Sequence, residues 1–95
     1  KEMEAELDKL RLLENKLLLY PNPANTQLNI KYALQNNDIA ELQLIDMLGN
    51  VQMRIALDAH NTQTSVNIQH LPIGIYSYRY LLNGVRKETG KLTIN

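Results

Sequence analysis

Two hydrophobic periodicities divide the chain. In residues 1–18, Met3, Leu7, Leu10, Leu13 and Leu17 recur at spacings of four, three, three and four, and Glu2, Glu4, Glu6, Asp8, Lys9, Arg11 and Glu14 fill most of the other faces. Apolar recurrence at three and four residues marks one face of an amphipathic helix. The segment holds no Gly or Pro and nearly all its residues favour helix. The spacing predicts a short N-terminal helix ending near Leu18 to Tyr20, because Pro21 and Pro23 cannot continue it. Met3, Leu10 and Leu17 stand seven apart, but Glu14 occupies the next apolar position of the stripe. Two heptads do not establish a coiled coil, and a lone helix of about 15 residues is marginal in water. The segment therefore reads as the end of an upstream cargo domain or linker, or as a coil that drives weak homo-oligomerisation.

From residue 19 onward the period becomes two, the signature of half-buried strands. Leu28, Ile30 and Tyr32 alternate with Asn29 and Lys31. Ile39, Leu42, Leu44 and Ile45 form a segment whose facing the pattern leaves open. Asp46 to Asn50 reads as a turn, with Gly49 free to take positive φ and Asp46 able to accept backbone N–H groups. Val51, Met53, Ile55 and Leu57 alternate next, and after the polar loop Asp58 to Asn61 so do Thr62, Thr64, Val66 and Ile68. Leu71 to Gly74 is a loop or tight bend. Ile75 to Leu82 is rich in aromatic and β-branched residues, Asn83-Gly84 is a two-residue hairpin turn, and Val85 to Ile94 is the last strand, with a bulge or bend expected at Gly90. With a short segment at Leu17 to Tyr20, this makes about seven strands at the rhythm of an all-β antiparallel sandwich. Tyr76, Tyr78 and Tyr80 share one face, which serves as sheet packing or as an exposed platform for a carbohydrate or peptide.

Composition narrows the chemistry more than it suggests any. The 95 residues suit one domain. Ten basic and ten acidic residues cancel, which removes any bulk electrostatic reason for a nucleic-acid partner. No apolar run approaches the roughly 20 residues of a membrane-spanning helix, so no direct membrane insertion is expected. Without cysteine there is no disulfide, thiolate nucleophile or Cys-based metal site. His60 and His70 fall in polar loops, and Asp38, Glu41, Asp46 and Asp58 are scattered without the spacing of a calcium loop. The pattern offers no catalytic residue, no metal site and no cofactor site. Beginning at Lys1 without an initiator Met, the chain reads as a C-terminal piece of a longer protein.

The turn residues carry a resemblance. Tyr20-Pro21-Asn22-Pro23-Ala24, the run leading into Asp46-Met47-Leu48-Gly49, Leu71-Pro72-Ile73-Gly74-Ile75-Tyr76 and Lys91-Leu92-Thr93-Ile94 occur in order. In this, residues 19–95 resemble the type A C-terminal sorting domain of the type IX secretion system of Bacteroidetes. Asn67 and Gln69 stand where members of that family often carry Asp and Ser. The resemblance implies an immunoglobulin-like sandwich with no enzymatic role. It implies a cargo exported to the periplasm and then to the cell surface or the medium. The implied partners are an outer-membrane translocon, a shuttle protein and a sortase-like peptidase that cuts before the domain. The recognition motif would comprise Tyr20, Pro21, Asn22, Pro23, Asp46, Gly49, Leu71, Pro72, Gly74, Tyr76, Lys91, Leu92 and Ile94. Its surface is expected at the Asp46 turn, the Leu71 to Tyr76 segment and the Lys91 to Ile94 strand, whose edge could pair with a partner.

Overall fold

A computed structural model describes residues 17–95; the expected helix and its coiled-coil stripe in residues 1–16 lie outside the described residues. Seven strands follow in order: β1 (Leu18–Tyr20), β2 (Gln27–Lys31), β3 (Ala40–Ile45), β4 (Val51–Leu57), β5 (Gln63–Asn67), β6 (Gly74–Leu82) and β7 (Val85–Ile94). They form two antiparallel sheets, β1-β2-β5 and β4-β3-β6-β7. The all-β sandwich expected from the period-two pattern is the observed fold. In a constant-type immunoglobulin domain the fourth strand sits beside the fifth; here β4 pairs with β3 instead, giving three strands against four. Leu18 to Tyr20 is strand, paired with Lys31 to Asn29, so the expected helix does not reach these residues. The extended conformation that Pro21 imposes on its predecessor extends back through the segment.

Alternation decides the core. Leu28 and Ile30 of β2 turn inward between Gln27, Asn29 and Lys31. They meet Leu42, Leu44, Tyr76, Tyr80, Leu92 and Ile94 from the opposite sheet. Each such side chain removed from water contributes about 1.5–3 kcal/mol before ordering costs are subtracted. The uncertain facing of the β3 segment resolves through register. Leu42 pairs with Tyr80 and Leu44 with Tyr78 on the inner side. Ile45 pairs with Ser77, after a register shift in the β3–β4 ladder at Leu44/Ile45. Ile39 is exposed; its N–H donates to Asn83 Oδ1 at 2.8 Å, which fastens the β6–β7 hairpin to the start of β3.

Two details of the hairpin end follow from local sterics. Asn83 and Gly84 take φ of 51° and 80°, the doubly positive pair of a tight hairpin turn. The ladder irregularity lies opposite Lys87, between Tyr80 and Leu81, and not at Gly90 as the sequence suggests. Gly90 instead pairs regularly with Tyr78 and lies under its ring, where a Cβ would overlap the ring edge. Any side chain at Gly90 would have to displace the Tyr78 ring.

Candidate recognition site

The β3–β4 turn is organised by one carboxylate. Asp46 Oδ1 accepts the N–H groups of Leu48 (3.0 Å) and Asn50 (2.9 Å), and Oδ2 accepts the Gln52 side-chain amide at 2.7 Å. The Asp46 N–H in turn reaches the Asn50 carbonyl. The Asn50 N–H first, with Gln52 and Leu48, holds the Asp46 carboxyl below the usual carboxylate range. Gly49 closes the turn at φ +90°, a left-handed conformation that a side chain disfavours. With its polar groups satisfied internally, the turn presents Met47 and Leu48 outward, 80% and 87% exposed.

The loop into β6 is fixed by a different device. Tyr76 lies 4% exposed in the core, and its hydroxyl donates to the Pro72 carbonyl at 2.6 Å. A tyrosine that bonds back to backbone just upstream pins the corner where the chain crosses between sheets. Leu71 anchors the other end, buried in the core with its N–H on the Ile68 carbonyl. Asn67 Oδ1 accepts the Gln69 N–H at 2.8 Å, so asparagine closes that approach locally. Pinned at both ends, the loop leaves Ile73 79% exposed. Burial, with a contribution from the Asp46 charge, pushes the Tyr76 phenol up, a sign that the two loops stand side by side. Between them is a mainly apolar cleft of about 300 Å³, walled by Met47 and Leu48 on one side and by Pro72, Ile73 and Ile75 on the other.

The remaining motif elements sit next to this cleft. Leu92 and Ile94 pair with Tyr76 and Gly74 and point into the core. Across β7, Asn22 Nδ2 donates to the Lys91 carbonyl (3.1 Å) and Asn22 Oδ1 accepts the Thr93 N–H (3.1 Å). Ala24 N–H then donates to Thr93 O, and Asn95 N–H to Ala24 O, each at 2.8 Å. The Tyr20 to Ala24 segment thus leaves the β1 sheet and joins β7 in parallel. This corrects one expectation: the Lys91 to Ile94 edge is not free to pair with a partner, because residues 22–24 already occupy it. Tyr20 itself is half-buried in β1, with the Lys31 ammonium 5.9 Å from its ring centroid.

The thirteen motif residues therefore do different things. Leu71, Tyr76, Leu92 and Ile94 are core. Asp46, Gly49, Asn22, Pro21 and Pro23 set the path of the chain, Pro72 and Gly74 wall the cleft, and Lys91 is exposed on β7. The apolar groups that face outward, Met47, Leu48, Ile73 and Ile75, were not singled out by the motif. For Met47, Leu48 and Ile73 the signal in the sequence was large apolar residues inside turns and loops, where burial is not available. Of the two readings of the tyrosine face, sheet packing is the observed one. Tyr76 and Tyr80 are 4% and 1% exposed, and Tyr78 covers Gly90 with its hydroxyl on Glu88 Oε2 at 2.7 Å. Among the described residues no group of three His, Asp or Glu could hold a metal ion.

Two loops tied by internal hydrogen bonds and an apolar cleft between them mark one end of this small all-β sandwich. The chain belongs to the secretion system C-terminal sorting domain family, whose profile matches residues 18–95. No curated protein and no solved structure matches the chain. As a member of this family the domain is the non-catalytic sorting signal of a type IX secretion cargo.

Proposed function

We propose that the type IX machinery reads this domain at the cleft between the Asp46 turn and the Pro72 to Tyr76 loop. One observation carries the reading: the Asp46 turn and the Pro72 to Tyr76 loop, far apart in sequence, wall one mainly apolar cleft, and the other two motif elements pair with each other along the strand beside it. An apolar cleft rimmed by rigid loops suits a hydrophobic anchor from a protein partner. Internal satisfaction of Asp46 and Tyr76 keeps its shape independent of the cargo attached upstream. In this reading the cargo crosses to the periplasm, the domain engages an outer-membrane translocon and its shuttle protein, and a sortase-like peptidase cuts before Tyr20. Product then reaches the cell surface or the medium. Residues 1–18 belong to the cargo or its linker, and residues 19–95 are the signal.

Leu48→Asp and Ile73→Asp, which place charge in the cleft at exposed positions, test this. Both variants should keep the thermal midpoint of the parent chain. In a type IX-competent cell they should strand the cargo in the periplasm. Normal export of both folded variants would overturn the assignment of the cleft.

A further inference from the structure

The outer face of the four-stranded sheet differs in charge from the rest of the described surface. Register sets Arg79 opposite Thr89, Leu81 opposite Arg86 and Ser77 opposite Lys91, and alternate residues of a strand share a face. Arg79, Arg86 and Lys91 therefore stand together, with Arg54 beyond Gln43 on the same side. The one carboxylate here, Glu41, is taken by Arg54 at 3.5 Å. Asp38, Asp46 and Asp58 are engaged in their own turns, and Glu88 receives the Tyr78 hydroxyl. Among the described residues, Arg79 and Arg86 have no carboxylate partner.

The two arginines line a groove of about 280 Å³ with Ser77, Thr89 and Gly90. Arg79 is held in place from one side: its Nη1 donates to Gln43 Oε1 at 3.4 Å, and Gln43, only 5% exposed, donates to Glu41 at 2.7 Å. A guanidinium anchored on one edge keeps its other donors for an oxyanion, and the two hydroxyls can add neutral donors. Beside the groove the β7 edge opens. The Asn22 to Ala24 clip ends at the Lys91 carbonyl, whereas β7 runs on to Val85. By strand alternation Thr89 turns its backbone groups to the same side as Lys91, beyond the reach of the clip.

We propose that this groove and edge bind an extended acidic peptide segment, which adds as a strand beside residues 85–89 and sets carboxylates against Arg79 and Arg86. Charge selects the occupant. A basic strand is repelled, an apolar one leaves both guanidiniums without a counter-charge, and a free phosphate uses the arginines but not the edge. Main-chain bonds to an edge supply affinity, while alternate side chains supply selectivity. The surface is separate from the apolar cleft, so its test reads independently of export.

The experiment titrates the isotope-labelled 95-residue chain by NMR with a synthetic peptide of alternating Glu and Val, the same peptide with Gln for Glu, and inorganic phosphate. The Glu peptide should move the amides of residues 85–90 and slow hydrogen exchange at Thr89. Arg86→Gln and Arg79→Gln should each weaken it about tenfold, Lys31→Gln should leave it unchanged, and added salt should weaken it. Among the described residues the Arg86 side chain makes no hydrogen bond, so its variant carries the test even if loss of Arg79 disturbs Gln43. Equal binding of the Gln peptide, phosphate reproducing the full pattern of shifts, or shifts centred on the apolar cleft would overturn the proposal.

Discussion

The Tyr76 hydroxyl donates a 2.6 Å hydrogen bond to the carbonyl of Pro72, four residues earlier. This bond ties a core side chain to one wall of the cleft. Tyr76→Phe keeps the ring but leaves a partly buried carbonyl without its donor, which costs about 1–3 kcal/mol. Urea unfolding should show a lower midpoint with an unchanged slope. Loss of the tie should also speed hydrogen exchange at Gly74 and Ile75, and unchanged exchange there would mean the loop is held by other contacts.

Acid should destabilise the domain through its turns. Asp46 is held below its ordinary value of 3.8 by the Asn50 N–H and its neighbours. Asp38 is lowered mainly by the Asn83 side chain and then by the Gln35 N–H. For a carboxylate depressed in the folded state, the stabilisation is present above the unfolded pKa and disappears as pH falls through the folded one. Stability should therefore decline below about pH 4. Asp46→Asn and Asp38→Asn should each flatten that decline, as read from denaturation midpoints over an acid pH series.

Tyr78 contributes to the alkaline limb alongside Tyr32, Tyr76 and Tyr80, whose phenols burial also raises. Burial, reinforced by the hydrogen bond to Glu88 and its charge, pushes the Tyr78 phenol up to about 12. A raised acid keeps its stabilising effect below its unfolded value near 10 and loses it as pH climbs through the folded value. In an ultraviolet titration Tyr78→Phe should remove a late-ionising phenol. The same variant should make unfolding less sensitive to pH above about 10.

Gly90 and Tyr78 should behave as one unit. Gly90→Ala puts a methyl group where the ring lies, and overpacking of this kind costs about 1–3 kcal/mol. The ring must swing away, which also breaks its bond to Glu88. Placed on a Tyr78→Ala background, the glycine change should cost almost nothing, since the clash is gone. A double-mutant cycle that instead gave additive losses would show that Gly90 is needed for some other reason.

Asn22 and the Ala24 backbone close the β7 edge together, and Asn22 supplies the side-chain half of that cover. Asn22→Ala removes the bonds to Lys91 O and Thr93 N–H, each worth about 0.5–1.5 kcal/mol net. The Thr93 amide should exchange faster. An uncovered edge invites pairing with another chain, so the variant should self-associate at concentrations where the parent chain stays unchanged, as followed by sedimentation.

Much of this fold is legible in the sequence, because a sheet with one face in a core writes its period directly into the chain. Leu28 and Ile30, or Ile55 and Leu57, need no further information to be placed. The Asp46 turn is legible for a similar reason, since its chemistry is local. Contacts between distant segments leave no such trace. Nothing near Asn22 announces that its amide will span Lys91 and Thr93, and nothing near Gly90 names Tyr78 as the ring above it. The β3 segment was ambiguous because Ile45 follows Leu44 directly, and only pairing with β4 and β6 resolves the two faces. The motif marks the residues that shape the cleft, while the apolar side chains inside it occupy positions the motif leaves open.

The clip between Asn22 to Ala24 and Lys91 to Asn95 joins the first part of the sandwich to its final strand. A chain cut or stalled before Lys91 loses the partner of both Asn22 and the Gly74 to Ser77 ladder, so one wall of the cleft goes with it. The wall of the cleft at Gly74 to Tyr76 is therefore complete only when the strand from Lys91 to Ile94 is in place beside it. Under the proposed reading of the cleft, a chain cut before Lys91 should fail to leave the periplasm even though every residue that lines the cleft is still present.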